Sequence, residues 1–143
     1  MKKILLLFTA LFILSSCNME PDEAPQYNVE FLPADWVIFP QWVEPGHTYE
    51  VRVGFTKPNG CYLFDHFVSE KDGNAVVIAI QTMVRLEGEC RNYEKENQDE
   101  QSFTFSCDES YALANDIYTF KFFTGYDVEG NKTYEQIVIP VKK

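Results

Sequence analysis

From Tyr27 onward, apolar and polar residues alternate with a period of two. Tyr49, Val51, Val53 and Phe55 alternate with Thr48, Glu50, Arg52 and Gly54. Successive side chains of a strand point to opposite faces, so this pattern predicts a strand over 48–56 with one buried face. A shift of one residue would turn all four apolar groups into solvent. At roughly 1.5–3 kcal/mol for each group, burial fixes the register. Phe103, Phe105 and Cys107 alternate with Ser102, Thr104 and Ser106 in the same way. Ala75 to Leu86 places Val76, Ile78, Ile80, Thr82, Val84 and Leu86 on one side. Its β-branched content favours a strand over a helix.

Turn residues separate these runs. Pro45-Gly46 precedes 48–56 and Lys57-Pro58-Asn59-Gly60 follows it. Lys71-Asp72-Gly73-Asn74 separates Cys61–Val68 from Ala75–Leu86, as in a hairpin. Glu129-Gly130-Asn131 separates Asp116–Thr124 from Lys132–Val141. With Tyr27–Leu32 at the start, about seven strands fit the spacing of an all-β sandwich. No helix and no internal repeat is evident. Glu87–Gln101 reads as one long polar insertion.

The chain of 143 residues begins differently. Lys2 and Lys3 lead into the apolar run Ile4–Leu14, and Ser15-Ser16-Cys17 follows. A basic start, a short apolar segment and small residues read as a secretory signal, too short for a comfortable membrane span. Ending on cysteine, it resembles the lipobox of bacterial lipoproteins. That resemblance implies cleavage before Cys17, acylation of its thiol and attachment to a membrane through lipid. The expected organisation is a signal peptide over 1–16, an acidic tether over 17–26 and one domain over 27–143. The tether contains two prolines and no apolar period, a composition that buries too little surface to order itself. Glu20, Asp22 and Glu23 behind the cysteine resemble the export signal of Bacteroidota surface lipoproteins. That resemblance implies a surface-facing, outer-membrane location.

The net charge is −10, and it becomes more negative once Lys2 and Lys3 leave with the leader. Such a body repels nucleic acid and anionic headgroups, so attachment falls to the acyl chains.

Near the C-terminus, Tyr118 opens the run 118–122. Asp127-Val-Glu-Gly130-Asn131 then leads to Ile137-Val-Ile139-Pro-Val141. This resembles the final hairpin of bacterial immunoglobulin-like domains. The resemblance implies an immunoglobulin-like sandwich, with Tyr118 as a corner tyrosine whose hydroxyl caps nearby backbone. Phe120 falls where antibody domains have cysteine. Trp36 and Trp42 both precede Cys61, so the antibody Cys…Trp…Cys order is absent. The resemblance speaks to fold and not to activity.

Three cysteines remain beyond Cys17, so at most one internal bridge forms. Pairing Cys61–Val68 with Ala75–Leu86 about the Asp72-Gly73 turn sets Cys61 near Cys90. That pairing is favoured, with Cys107 as a buried thiol beside Phe103 and Phe105. Zinc is the rival reading, and it lacks both the C-x-x-C spacing and a neighbouring histidine.

Catalytic signals are weak. Asp65-His66 offers a base and its orienter, with Ser69 nearby but no G-x-S-x-G elbow. His47 reads as a loop residue. No zinc-protease, phosphate-loop or dinucleotide fingerprint occurs, and no cofactor is expected. Asp127, Glu129 and Asn131 alternate oxygen ligands, but the glycine and glutamate positions of an EF-hand loop do not match, so a hairpin turn is expected. Glu94–Glu100 reads as a solvated acidic loop, with a cation or basic partner as the alternative. The Asn131-Lys132-Thr133 sequon reads as coincidence.

The aromatic segment around Trp36, Phe39 and Trp42 is the best functional hint. Two prolines and an uneven period predict an irregular edge or loop. Exposed, Trp36 and Trp42 would suit stacking on sugar rings; buried, they would plug the end of the sandwich. The sequence thus points to a non-catalytic binding or accessory module of the cell envelope, with a protein or carbohydrate partner. A small envelope hydrolase and a structural spacer are the alternatives.

Overall fold

A computed structural model describes residues 25–93 and 97–143. The signal peptide, Cys17 and most of the expected tether lie outside the described residues.

Eight strands and one helix are described. They are β1 (Tyr27–Leu32), β2 (Trp36–Ile38), β3 (Thr48–Thr56), β4 (Tyr62–Asp72), β5 (Ala75–Arg85), β6 (Gln98–Ser106), α1 (Glu109–Ala114), β7 (Ile117–Tyr126) and β8 (Lys132–Pro140). They form an all-β sandwich of two sheets. β2, β3 and β6 make one in that order. β1, β4, β5, β7 and β8 make the other, with β5 central and β4 at its edge.

The period of two does the work assigned to it. Val51, Val53 and Phe55 of β3 are buried, as are Ile78, Ile80 and Thr82 of β5. Thr82 is the one fully buried polar side chain among these, and its hydroxyl donates to the Glu30 carbonyl at 2.9 Å. A buried hydroxyl without such a partner would be costly. Asp72 pairs with Ala75, so only Gly73 and Asn74 turn the β4–β5 hairpin. Gly73 has φ +60, the left-handed region that a two-residue hairpin turn requires.

β5 divides its second edge between two partners. Ala75–Ile78 run parallel to Thr119–Phe122 of β7. Ile80–Arg85 run antiparallel to β1. β1 enters where β7 turns away, and the Ala34 amide donates to the Phe123 carbonyl at 2.9 Å. An immunoglobulin-like order implies no such parallel pair, since its two sheets are antiparallel throughout.

Three expectations are corrected. First, a helix exists. Asp108 caps it, accepting from the Tyr111 amide at 2.7 Å, and Ala112 is fully buried. Six residues are too few for a 3.6 period to emerge, so only the capping aspartate marks it. Second, the irregular segment includes β2, whose three residues pair with Arg52–Gly54 at the edge of the smaller sheet. Third, the polar insertion is shorter than read, because Gln98–Gln101 pair with β3. Asp99 meets Lys57 at 2.8 Å and Glu100 meets Arg52 at 2.5 Å. Glu100 faces solvent and Asp99 is half-buried beside Lys57 at the strand's end, and in sequence such polarity resembles that of a loop.

Candidate functional site

The five-stranded sheet is wider than the three-stranded sheet over it. The excess leaves part of its inner face without a strand opposite, beside β4, β6 and α1. A cleft with two lobes lies there. The first, about 300 Å³, is lined by Phe67, Val76, Ile78, Phe103, Phe105 and Phe120, among others. The second, about 600 Å³, includes Lys71, Asn74, Asp108, Tyr111, Tyr118 and Thr119. Val76 and Tyr118 line both. This volume and the mixture of aromatic walls with a few polar groups are those of a ligand site.

Local sequence builds each wall. Phe67, Ser69 and Lys71 share the inner face of β4 by alternation, and Phe103 and Phe105 do so on β6. Phe67 and Phe103 lie 5.1 Å apart between ring centroids, closing one end. Tyr111 from α1 packs on Tyr118 at 4.6 Å, closing the other. Tyr118 donates its hydroxyl to the Asp108 carbonyl at 3.3 Å. Burial first, and then the adjacent Cys107 thiol, push the Tyr118 phenol far above its ordinary range. Asp108 is held below the usual carboxylate range, first by the Ser110 hydroxyl and then by the Tyr111 amide. The polar end of the cleft therefore presents a neutral phenol, a carboxylate and the Lys71 side chain.

The cysteines are arranged as the hairpin implies. Cys61 and Cys90 form a disulfide with Cα atoms 5.1 Å apart, and Cys107 is a buried free thiol. The bridge ties the start of β4 to the loop after β5. Gly60 donates to the Arg91 carbonyl at 2.8 Å in the same junction.

Trp36 and Trp42 lie apart from the cleft. Trp36 is 37% exposed and lies against Gly54, where a Cβ would collide with its ring. Trp42 is 46% exposed, with the Lys142 ammonium 5.1 Å from its ring centroid. It shares a shallow groove of about 260 Å³ with Pro40, Gln41 and Tyr49. No ring contact joins the two tryptophans among the described residues. Phe39 is the ring that enters the core, reaching Phe103, Phe105, Phe120 and Phe122 at 4.6–6.5 Å.

The weak catalytic candidates do not converge. Asp65 accepts from Gln81 at 2.8 Å and sits 3.0 Å from the His66 ring on exposed β4. A bulge lies between Phe64 and His66. Val68, two residues beyond His66, lines the outer face of this sheet, whereas Ser69 lines the inner cleft. His47 is an exposed loop residue. Asp127 is committed to its turn, accepting the amides of Glu129 and Asn131 at 2.9 and 2.8 Å. No cluster of three potential metal-ligating side chains occurs among the described residues.

A second recess lies on the outer face of the five-stranded sheet, among Phe31, Phe123, Tyr126, Tyr134, Glu70 and Lys132. At about 100 Å³ it is well below the size of a typical ligand site. The sequence reading missed both the cleft and this recess. Phe103, Phe105 and Phe67 read as core residues, and nothing in one strand's alternation tells whether another sheet covers it.

Residues 1–18 match the prokaryotic membrane lipoprotein lipid attachment site. The chain carries the signal of a bacterial lipoprotein. The match puts a lipid attachment site within residues 1–18 and so holds the chain to a membrane. No curated protein and no solved structure matches the chain. No helix among the described residues is long and apolar enough to cross a membrane.

Proposed function

We propose that this lipoprotein is a non-catalytic binding or accessory module of the bacterial cell envelope, and that the cleft between its sheets is the binding site. The cleft carries this reading. It is larger than the groove at Trp42 and the recess on the outer face of the five-stranded sheet, it is walled by aromatic rings, and it has a polar end. The separation of His66 from Ser69 supports a binding role over hydrolysis. The acids Glu20, Asp22 and Glu23 behind Cys17 support an outer-membrane, surface-facing location. The final hairpin, where the Tyr118 hydroxyl reaches back to the Asp108 carbonyl, supports an immunoglobulin-like relation, from which the parallel β5–β7 pair departs.

A second reading, carbohydrate binding through exposed aromatics, is favoured by the groove at Trp42. There an indole lies beside the Gln41 amide. Trp36 offers a further exposed ring on the smaller sheet.

The cleft is tested with N-phenyl-1-naphthylamine, a neutral apolar probe that brightens on leaving water. The chain from residue 17 is used, carrying Cys17→Ser so that no acyl chain of its own competes. Every described strand lies within it. The probe's emission should rise and shift to the blue, and Val76→Trp, which fills the junction of the lobes, should remove most of the gain. An unchanged emission, or equal emission from the variant with an intact fold by circular dichroism, overturns the cleft as the site.

A further inference from the structure

We infer that the cleft receives an extended polypeptide strand of a partner protein, which adds to the free edge of β6. The inference rests on the cleft being the binding site and names what enters it. β6 is paired with β3 along its whole length, Gln98 with Thr56 through Ser106 with Thr48. Its other edge has no partner among the described residues. An unpaired edge is a row of main-chain donors and acceptors ready for another strand.

The two edges that border the cleft differ. β4 has a bulge between Phe64 and His66, and it ends in Glu70, Lys71 and Asp72. Bulges and charges are devices that prevent further pairing. β6 has neither from Gln101 to Ser106, which contains no charge, proline or glycine. The charges of β6, Asp99 and Glu100, lie at its start, so the stretch Phe103–Ser106 that lines the cleft is unprotected, whereas the β4 border is protected.

The space beside β6 suits a strand. A new strand would lie about 4.8 Å from β6. It would then stand over the uncovered inner face, above Phe67, Val76 and Ile78. Every second side chain of the added strand would point into that apolar floor. The intervening side chains would face solvent beside Ser102, Thr104 and Ser106, which accept neutral polar neighbours. Main-chain pairing gives affinity and the alternate pockets give specificity in this mode of recognition. The partner segment is thus extended, apolar at alternate positions and free of proline at its centre.

Hydrogen exchange tests this with the same chain from residue 17 carrying Cys17→Ser. The probe is a peptide as long as β6, alternating valine and threonine, with lysine at each end. The control is the same peptide with proline in place of its central residue. The alternating peptide should slow the amides of Gln101–Ser106 by about tenfold or more, the control should not, and Val76→Trp should reduce the effect. Absence of protection on β6, or protection by both peptides, overturns the inference. So does an unliganded chain that light scattering shows to be dimeric through an already protected β6. If the naphthylamine probe binds and the alternating peptide does not, strand addition fails while the cleft stands.

Discussion

The ring of Phe39 sits between the sheets, 4.6 Å from Phe120 and within reach of three further phenylalanines. Its truncation leaves a cavity that the surrounding rings cannot fill. Phe39→Ala should cost roughly 3–5 kcal/mol. In a domain of this size the melting temperature should fall by on the order of 10 °C or more. Trp42→Ala, at an exposed ring, should stay within about 0.5 kcal/mol of the parent. Thermal melts of the two variants separate plug from surface ring. A large loss in Trp42→Ala would show that this ring, and not Phe39 alone, closes the core. At the cysteines, peptide mass mapping without reduction should show Cys61 linked to Cys90 and Cys107 free. Their sequence separation is 29 residues. Closing such a loop contributes about 3–4 kcal/mol in the chain-entropy model, so Cys61→Ser should lower the denaturant midpoint strongly.

Strand pairs set the next scale. In the β4–β5 hairpin, the positive φ of Gly73 is open to solvent but closed to β-branched residues. Gly73→Val should destabilise by roughly 1–2 kcal/mol. The denaturant midpoint should move while the slope stays constant. An unchanged midpoint would show that the turn is not of this type. β3 and β6 are joined at one end by Lys57–Asp99 and Arg52–Glu100. Burial alone would raise Asp99, yet the Lys57 hydrogen bond and charge bring it below the usual carboxylate range. The Arg52 guanidinium does the same for Glu100. A carboxylate whose folded value is depressed adds stability that is complete above its unfolded value, near pH 4. That stability is lost as pH falls through the folded value. Melting temperature should therefore drop as pH falls below about 4, and it should drop less in Lys57→Met. Equal acid losses in both proteins would remove Lys57–Asp99 from the account.

For the whole molecule, attachment and fold are separable. The body is acidic, so membrane attachment falls to the lipid attachment site within residues 1–18, with Cys17 as the proposed acceptor. Cells fed labelled fatty acid should transfer label to the wild-type chain and none to Cys17→Ser. Label retained by the variant would place the lipid elsewhere. The chain from residue 17 with Cys17→Ser should remain in the aqueous phase of a detergent partition and melt like the lipidated protein. A detergent-phase product would point to a second apolar anchor.

Much of this was legible in the residues, because a strand's alternation records which of its faces meets the core. Val51, Val53 and Phe55, the β4–β5 turn and the Cys61–Cys90 bridge are constraints of one strand or one hairpin, and local sequence carries them. The lipid attachment signal is local in the same sense. Strand partners are another matter, since the main chain that pairs them is common to every residue. Only the tertiary structure put β5 between β4, β7 and β1, set five strands against three, and so left Phe67, Phe103 and Phe105 beside open space. It also chose Phe39 over Trp36 and Trp42 for the core. Three aromatics within seven positions carry no alternation to rank them, and packing against Phe103, Phe105, Phe120 and Phe122 from both sheets selects Phe39. The site follows from this difference in scale. Its side chains are those of an ordinary core, and the missing cover above them is a property of the assembled sheets.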